Sequence, residues 1–177
     1  MLDDRTFRDP NKDPARKTMF GDRQLAWLKS GLQSSAATFK LIVNGNQMLS
    51  DGHPHESWGN QFRPERDAFL RWLWDSKIEG VIFVSGDRHF AELVRMPDPL
   101  RKGLPLWELT SSPLANDSYK MGSAFPNLYR RAAYTAGPNF GLLKFDTAAN
   151  PPEVILKLKN EKGGTVFKQK ITTRRAQ

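Results

Sequence analysis

Asp87 and His89 stand one residue apart in the stretch Gly80 to Leu93, GVIFVSGDRHFAEL. In an extended segment that spacing sends both side chains to the same side, where a carboxylate and an imidazole can converge on one cation. An oxygen and an imidazole nitrogen together suit a first-row transition metal better than calcium or magnesium. The same residues also read as a turn-capping aspartate and an ordinary polar loop histidine, because two donors alone do not make a metal site. Further donors stand between residues 45 and 59, where Asn46, Gln47, Asp51, His53, His55 and Glu56 cluster. His53 and His55 flank Pro54, with no strand geometry to fix their direction, and read first as exposed loop histidines. Arg5 and Arg8, in DDRTFRDP, could grip a phosphate through parallel N–H donors, or pair with Asp3, Asp4 and Asp9 beside them.

Other chemistries find less support. The chain has no cysteine, three histidines and no Gly-x-Ser-x-Gly elbow, which argues against nucleophilic hydrolysis. Neither glycine-rich nucleotide fingerprint follows a strand, so metal-assisted chemistry survives by elimination. Without cysteine, disulfides and thiolate ligands are excluded, and any metal must be held by nitrogen and oxygen. No apolar run approaches the roughly 20 residues of a membrane span, and MLDDRTFRDP lacks the apolar core of a signal peptide. The compartment stays open.

The elements that must position these residues are legible as patterns. Val81 to Val84 form an apolar, β-branched run ended by Ser85-Gly86, which reads as a buried strand, parallel and covered on both faces. Gly86 frees the backbone to turn just before Asp87, at the carboxyl end of a strand, where ligands collect in open α/β sheets. Leu25, Leu28 and Leu32 predict an amphipathic helix over 21–34 with Asp22 as its cap, and Pro64, Glu65, Phe69, Leu70 and Leu73 predict another over 64–76. With a strand at 38–44 the second helix completes a βαβ unit. Strands are expected at 91–95 and 106–110, a short helix near 128–133, and three antiparallel strands at 140–145, 154–159 and 166–172. A chain of 177 residues with eleven Phe and five Trp can bury one ordinary core. The formal charge of +8 predicts attraction to anions. Most of it lies in residues 151–177, where Lys157, Lys159, Lys168 and Lys170 alternate as on the solvated face of a strand. With Phe167 the one aromatic there, no stacking platform supports a nucleic-acid surface.

Several stretches, in order, resemble one family: LDDRTFRDP at 2–10, FGDRQLAWLKSGLQSSAATFKLIVNGNQ at 20–47, ESWGNQFRPER at 56–66, VIFVSGDRHFAEL at 81–93, ELTSSPL at 108–114 and NFGLLKFD at 139–146. They are similar to the PhoD-like alkaline phosphatases and phosphodiesterases, within the calcineurin-like metallophosphoesterases. The resemblance implies an α/β fold, the four-layer αββα metallophosphoesterase sandwich, with a mixed sheet and C-terminal antiparallel strands. It implies metal-dependent hydrolysis of phosphate esters at a two-metal centre, with iron and calcium the expected ions. Asp87 and His89 fall on the family's Gly-Asp-x-His metal ligands, and Arg5 on the arginine of its Leu-Asp-x-Arg stretch, a phosphate-contacting position. Glu56 and Asn46 fall in family-like segments without an assigned role, and no catalytic residue is identified.

The resemblance covers only the family's C-terminal half. Residues 1–177 read as the C-terminal portion of a single domain, and Met1 resembles an internal residue of the strand leading to Asp-x-Arg. The N-terminal half, with its Trp-Asp-Asp-His type motif and any secretion signal, has no counterpart here. Two expectations follow: the metal site is incomplete and the chain alone is inactive, and the absent half is a partner, its missing strands leaving a sheet edge and an apolar face exposed. The alternative is a non-catalytic, basic anion-binding or structural module that keeps the fold.

Overall fold

The computed structural model describes residues 1–10, 13, 15–50, 57–99, 104–119 and 127–174. Helix α1 (Gly21–Ser34) buries Leu28 and Leu32, and after strand β1 (Lys40–Val43) and the short helix α2 (Trp58–Gln61), helix α3 (Arg63–Asp75) buries Phe69, Leu70 and Leu73. Pro64 lies in the first turn of α3, where its missing N–H has no intrahelical partner to lose. Asp22 does not cap α1. The cap position is Phe20, and the free N–H groups turn instead to Glu65 of α3. Its carboxylate accepts from Met19 at 2.8 Å, Phe20 at 3.3 Å and Gly21 at 2.9 Å, and from Trp58 Nε1 at 2.8 Å. A negative charge at a helix N-terminus is favourable whichever element supplies it.

Strands β2 (Val81–Ser85), β3 (Ala91–Met96), β4 (Leu106–Thr110) and β5 (Arg130–Tyr134) join β1 in a mixed sheet of order β1-β2-β4-β3-β5. The first three in that order run parallel, and β3 is antiparallel to both of its neighbours. The short helix expected near 128–133 is therefore corrected to a strand: β5 pairs with the otherwise bare edge of β3, and pairing of the backbone outweighs local preference. Strands β6 (Asn139–Asp146), β7 (Glu153–Asn160) and β8 (Thr165–Thr172) form a separate antiparallel sheet, as the alternation predicts.

Alternation on β2 sorts the core into two parts. Val81 and Phe83 face α1 and α3 with Ile42, Leu28 and Phe69, while Ile82 faces the second sheet with Trp107, Val154, Leu156 and Ile171. Helices, mixed sheet and antiparallel sheet thus make three layers among the described residues. The outer face of the second sheet carries Phe140, Leu142 and Val166, each between 36% and 45% exposed. Among the described residues no helix is long and apolar enough to cross a membrane.

Candidate functional site

Three parallel strands end side by side. Past their last residues the ladder continues through Asn44 N–H to Val84 O at 3.0 Å, Gly86 N–H to Gly45 O at 3.1 Å and Ser111 N–H to Ser85 O at 3.0 Å. The loops that start at Asn44, Gly86 and Ser111 therefore leave the sheet together, at the carboxyl ends expected for a ligand site.

In the first loop, one oxygen of buried Asp4 receives both the backbone N–H and the side-chain Nδ2 of Asn46, each at 2.8 Å. That contact fixes which way the amide points. Asn46 Oδ1 is left buried with no hydrogen-bond partner among the described residues, and Asn44 Oδ1 is in the same state. Asp4 approaches so closely that a Cβ on Gly45 would stand 3.0 Å from its carboxylate.

The second loop corrects the sequence-based geometry of Asp87 and His89. The segment is a bend, not a strand: Asp87 has φ 67° and His89 φ 54°, left-handed conformations that Asp and His adopt more readily than most residues. Two such residues in three are held by their surroundings. His89 donates its N–H to Ser112 Oγ at 2.9 Å, and its carbonyl accepts from Tyr119 N–H. Its Nδ1 lies 2.9 Å from the carbonyl of Asp117. A carbonyl can only accept, so Nδ1 carries a proton, which in the neutral ring leaves the lone pair on Nε2, the tautomer of a metal-ligating histidine with a backbone orienter. Asp87 is exposed beside it in sequence. Between them Arg88 lies over the Phe90 ring at 5.1 Å, and partial burial pulls its pKa down to about 10, which still leaves it charged at neutral pH.

Beneath the loops lies a buried polar network that the sequence reading did not identify. Gln47 donates to Glu92 at 2.7 Å and to Thr110 Oγ1 at 2.8 Å, and Glu92 also accepts from Asn127 at 3.0 Å and from Arg130. Glu108 accepts the N–H groups of Met48 at 2.8 Å and Leu49 at 2.7 Å, and the Ser85 hydroxyl at 2.8 Å. Burial pushes its carboxyl up to about 7 against those hydrogen bonds, with the negative charge of Glu92 adding to the rise. The signal was present in the sequence: a glutamate inside each of two apolar strands, AELVRM and LWELT, must be paired if it faces inward.

Arg5 lies in an exposed turn where Asp3 Oδ1 accepts its backbone N–H at 3.0 Å and that of Thr6 at 2.9 Å, hydrogen bonds that hold the Asp3 carboxyl below its usual range. Arg8 Nε donates to the backbone carbonyl of Asp4 at 3.1 Å. Asp51, His53, His55 and Glu56 lie outside the described residues. Among the described residues no three His, Cys, Asp or Glu side chains gather as a metal cage. The donors at the strand tips are nonetheless of the right chemistry: a carboxylate, an oriented imidazole and partnerless amide oxygens.

The sequence profile of the PhoD-like phosphatase family matches residues 1–159. Among solved structures, the chain is similar to one described as "Structure of PhoD", with a TM-score of 0.63 and 14% identity over 99% of this chain and 42% of that one. The mixed and antiparallel sheets thus correspond to part of that fold, and this chain spans less than half of that structure's length. No curated protein matches.

Proposed function

Because the chain belongs to the PhoD-like phosphatase family, we propose that it carries one wall of a metal-dependent phosphoesterase centre, with Asp87 and His89 as metal ligands and Arg5 contacting the phosphate. The observation that carries this reading is the His89 ring, whose Nδ1 is tied to the Asp117 carbonyl so that the neutral ring presents its lone pair on Nε2. Asn46 Oδ1, buried and without a partner among the described residues, one residue beyond the Gly45–Gly86 hydrogen bond, is a third donor of matching type. A bound cation, iron or calcium by the family's expectation, supplies Lewis-acid polarisation of a phosphoryl oxygen. The chain's own residues orient: Ser112 and Asp117 hold His89, Asp4 holds Asn46, and the exposed Arg5 offers a planar guanidinium to an anionic oxygen.

Donors from the rest of the fold would complete the cage, so the 177-residue chain alone binds metal weakly and turns over little or no phosphate ester. Co-expression with the N-terminal half of a PhoD-like phosphatase tests this. The combined protein should retain metal and hydrolyse nitrophenyl phosphate, and lose both on His89→Ala. Equal hydrolysis by the chain alone, or retention of metal and activity after His89→Ala, would overturn the reading.

A second reading, a basic anion-binding module, is favoured by one observation: Lys157 and Lys168 are directly opposite each other on the second sheet, a like-charge pair that an anion would relieve. Its mark would be affinity for polyanions that falls steeply with salt and ignores chelators.

A further inference from the structure

Asn139, the first residue of β6, is 2% exposed and holds the chain where it leaves β4. Its Nδ2 lies 2.7 Å from the carbonyl of Ser112 and 3.3 Å from that of Gly137. A carbonyl can only accept, so this end of the amide is the NH₂ group. The other end, Oδ1, accepts the Ser111 hydroxyl at 3.0 Å, and the backbone N–H of Asn139 donates to Pro113 O at 2.8 Å. One buried residue thus grips Ser111, Ser112 and Pro113 together. Two positions on, on the same face of β6, a Cβ on Gly141 would stand 2.9 Å from Leu109 Cδ2, so a glycine lets the strand lie this close to β4.

The segment that Asn139 grips is the one that shapes His89. Ser112 Oγ takes the His89 N–H, the Asp117 carbonyl takes Nδ1–H, and Tyr119 N–H returns to His89 O at 2.6 Å. A buried amide gains little stability over an apolar side chain of its shape, because its hydrogen bonds replace bonds to water. What it supplies is direction, since a fully satisfied buried polar group fits only one arrangement of the chain around it. We infer that Asn139 is a positioning residue for His89. By fixing residues 111–113 it keeps the Asp117 carbonyl on Nδ1, and so keeps the lone pair of the neutral ring on Nε2. The use of that lone pair rests on the reading of His89 as a metal ligand, but the tautomer is a property of the chain without metal.

Long-range nitrogen–proton correlation spectra of the metal-free full chain, at a pH where imidazoles are neutral, read that tautomer directly. The chain has three histidines, and His89→Gln identifies the signal of His89. Wild type should hold His89 with the proton mainly on Nδ1, the reverse of the free imidazole's preference. Asn139→Asp keeps an acceptor for the Ser111 hydroxyl but sets a carboxylate oxygen against the two carbonyls. It should lower the ratio of Nδ1–H to Nε2–H about tenfold, the worth of one hydrogen bond, with His53 and His55 unchanged. Ser111→Ala, a milder change that frees Asn139 Oδ1, should lower it about threefold. A proton mainly on Nε2 in the wild type would overturn the inference. So would a wild-type ratio in folded Asn139→Asp, the result expected if Asn139 serves stability alone. Where circular dichroism shows that variant unfolded, a wild-type ratio in Ser111→Ala overturns it instead. The phosphoesterase reading fails separately: if these ratios shift while the combined protein holds no metal, Asn139 still positions His89 and the metal reading falls.

Discussion

Asp4 and Asn46 are joined twice through one carboxylate oxygen, which takes the backbone N–H and the side-chain Nδ2 of Asn46 at 2.8 Å each. Both residues are buried, Asn46 completely. The pair ties the N-terminal loop to the tip of β1, where Leu2 N–H also meets Val43 O at 2.8 Å. Nδ2 is committed to Asp4, so the amide oxygen points elsewhere, and a hydrogen-bonding residue acts as a positioned acceptor at the strand tips.

Asp4→Ala leaves two buried N–H groups of Asn46 without an acceptor. Unmet buried donors of this kind cost about 1–3 kcal/mol each, and some of that is recovered by water entering the gap, so a net loss of about 3 kcal/mol is expected in urea unfolding. Asp4→Asn can place its amide oxygen where that single carboxylate oxygen stood and still accept both hydrogen bonds, losing only their charge assistance, so it should lose less than half as much. Equal losses for the two variants would show that the carboxylate is not what holds Asn46.

Glu65→Ala tests whether α1 owes its start to a residue of another helix. The substitution strips the acceptor from Met19, Phe20, Gly21 and Trp58 Nε1 together. A loss of about 3 kcal/mol is expected, with amide exchange rising first at residues 19–24. Asp22→Ala, by contrast, should cost no more than about 0.5 kcal/mol, since Asp22 makes only a favourable charge contribution to the first turn.

The parts of the fold that were legible are those whose pattern is local. The run Val81 to Val84, the stripe Phe69, Leu70 and Leu73, and the alternation Val154, Leu156, Leu158 each declare an element and its buried face. The parts that were not legible are set by partners far away in the chain. The cap of α1 is supplied 44 residues downstream of Gly21, β5 exists because β3 has an edge to fill, and the backbone at Asp87 and His89 is bent by contacts with residues 111–119. The same holds for Glu92 and Glu108: their place inside apolar strands was visible, but not that Gln47, Met48 and Leu49 would fold back to meet them.

Lys168→Glu places a carboxylate directly opposite Lys157 on the outer face of the second sheet. Replacing a like-charge pair by an opposite one should stabilise the chain by about 0.5–1 kcal/mol at low salt. The gain should shrink as ionic strength rises to about 1 M, where the Debye length falls to about 3 Å. If the face serves to bind anions, the same variant should also lose affinity for heparin, whereas a merely solvated face predicts the stability gain alone.

Glu108 makes stability depend on pH in a defined window. Its carboxyl is raised from 4.5 to about 7 by complete burial, so between those values the folded chain holds a proton that the unfolded chain releases. The contribution is fully present below pH 4.5 and is lost as pH rises through about 7, a change of roughly 3 kcal/mol for this group. The depressed carboxyl of Asp3 has the opposite sign, but its effect falls below its ordinary value of 3.8, outside the window. Glu108→Gln is neutral throughout. It should be less stable than wild type at pH 5, because its NH₂ group faces N–H and O–H donors where a carboxyl oxygen accepted them, and the gap should narrow or reverse by pH 8. Urea midpoints of both proteins at the two pH values check this, and parallel pH dependences would mean that Glu108 does not titrate between them. The hydrogen bonds from Met48 and Leu49 favour the charged carboxylate, so the destabilisation comes from burying the charge, and residues 47–50 should not loosen ahead of the rest of the chain.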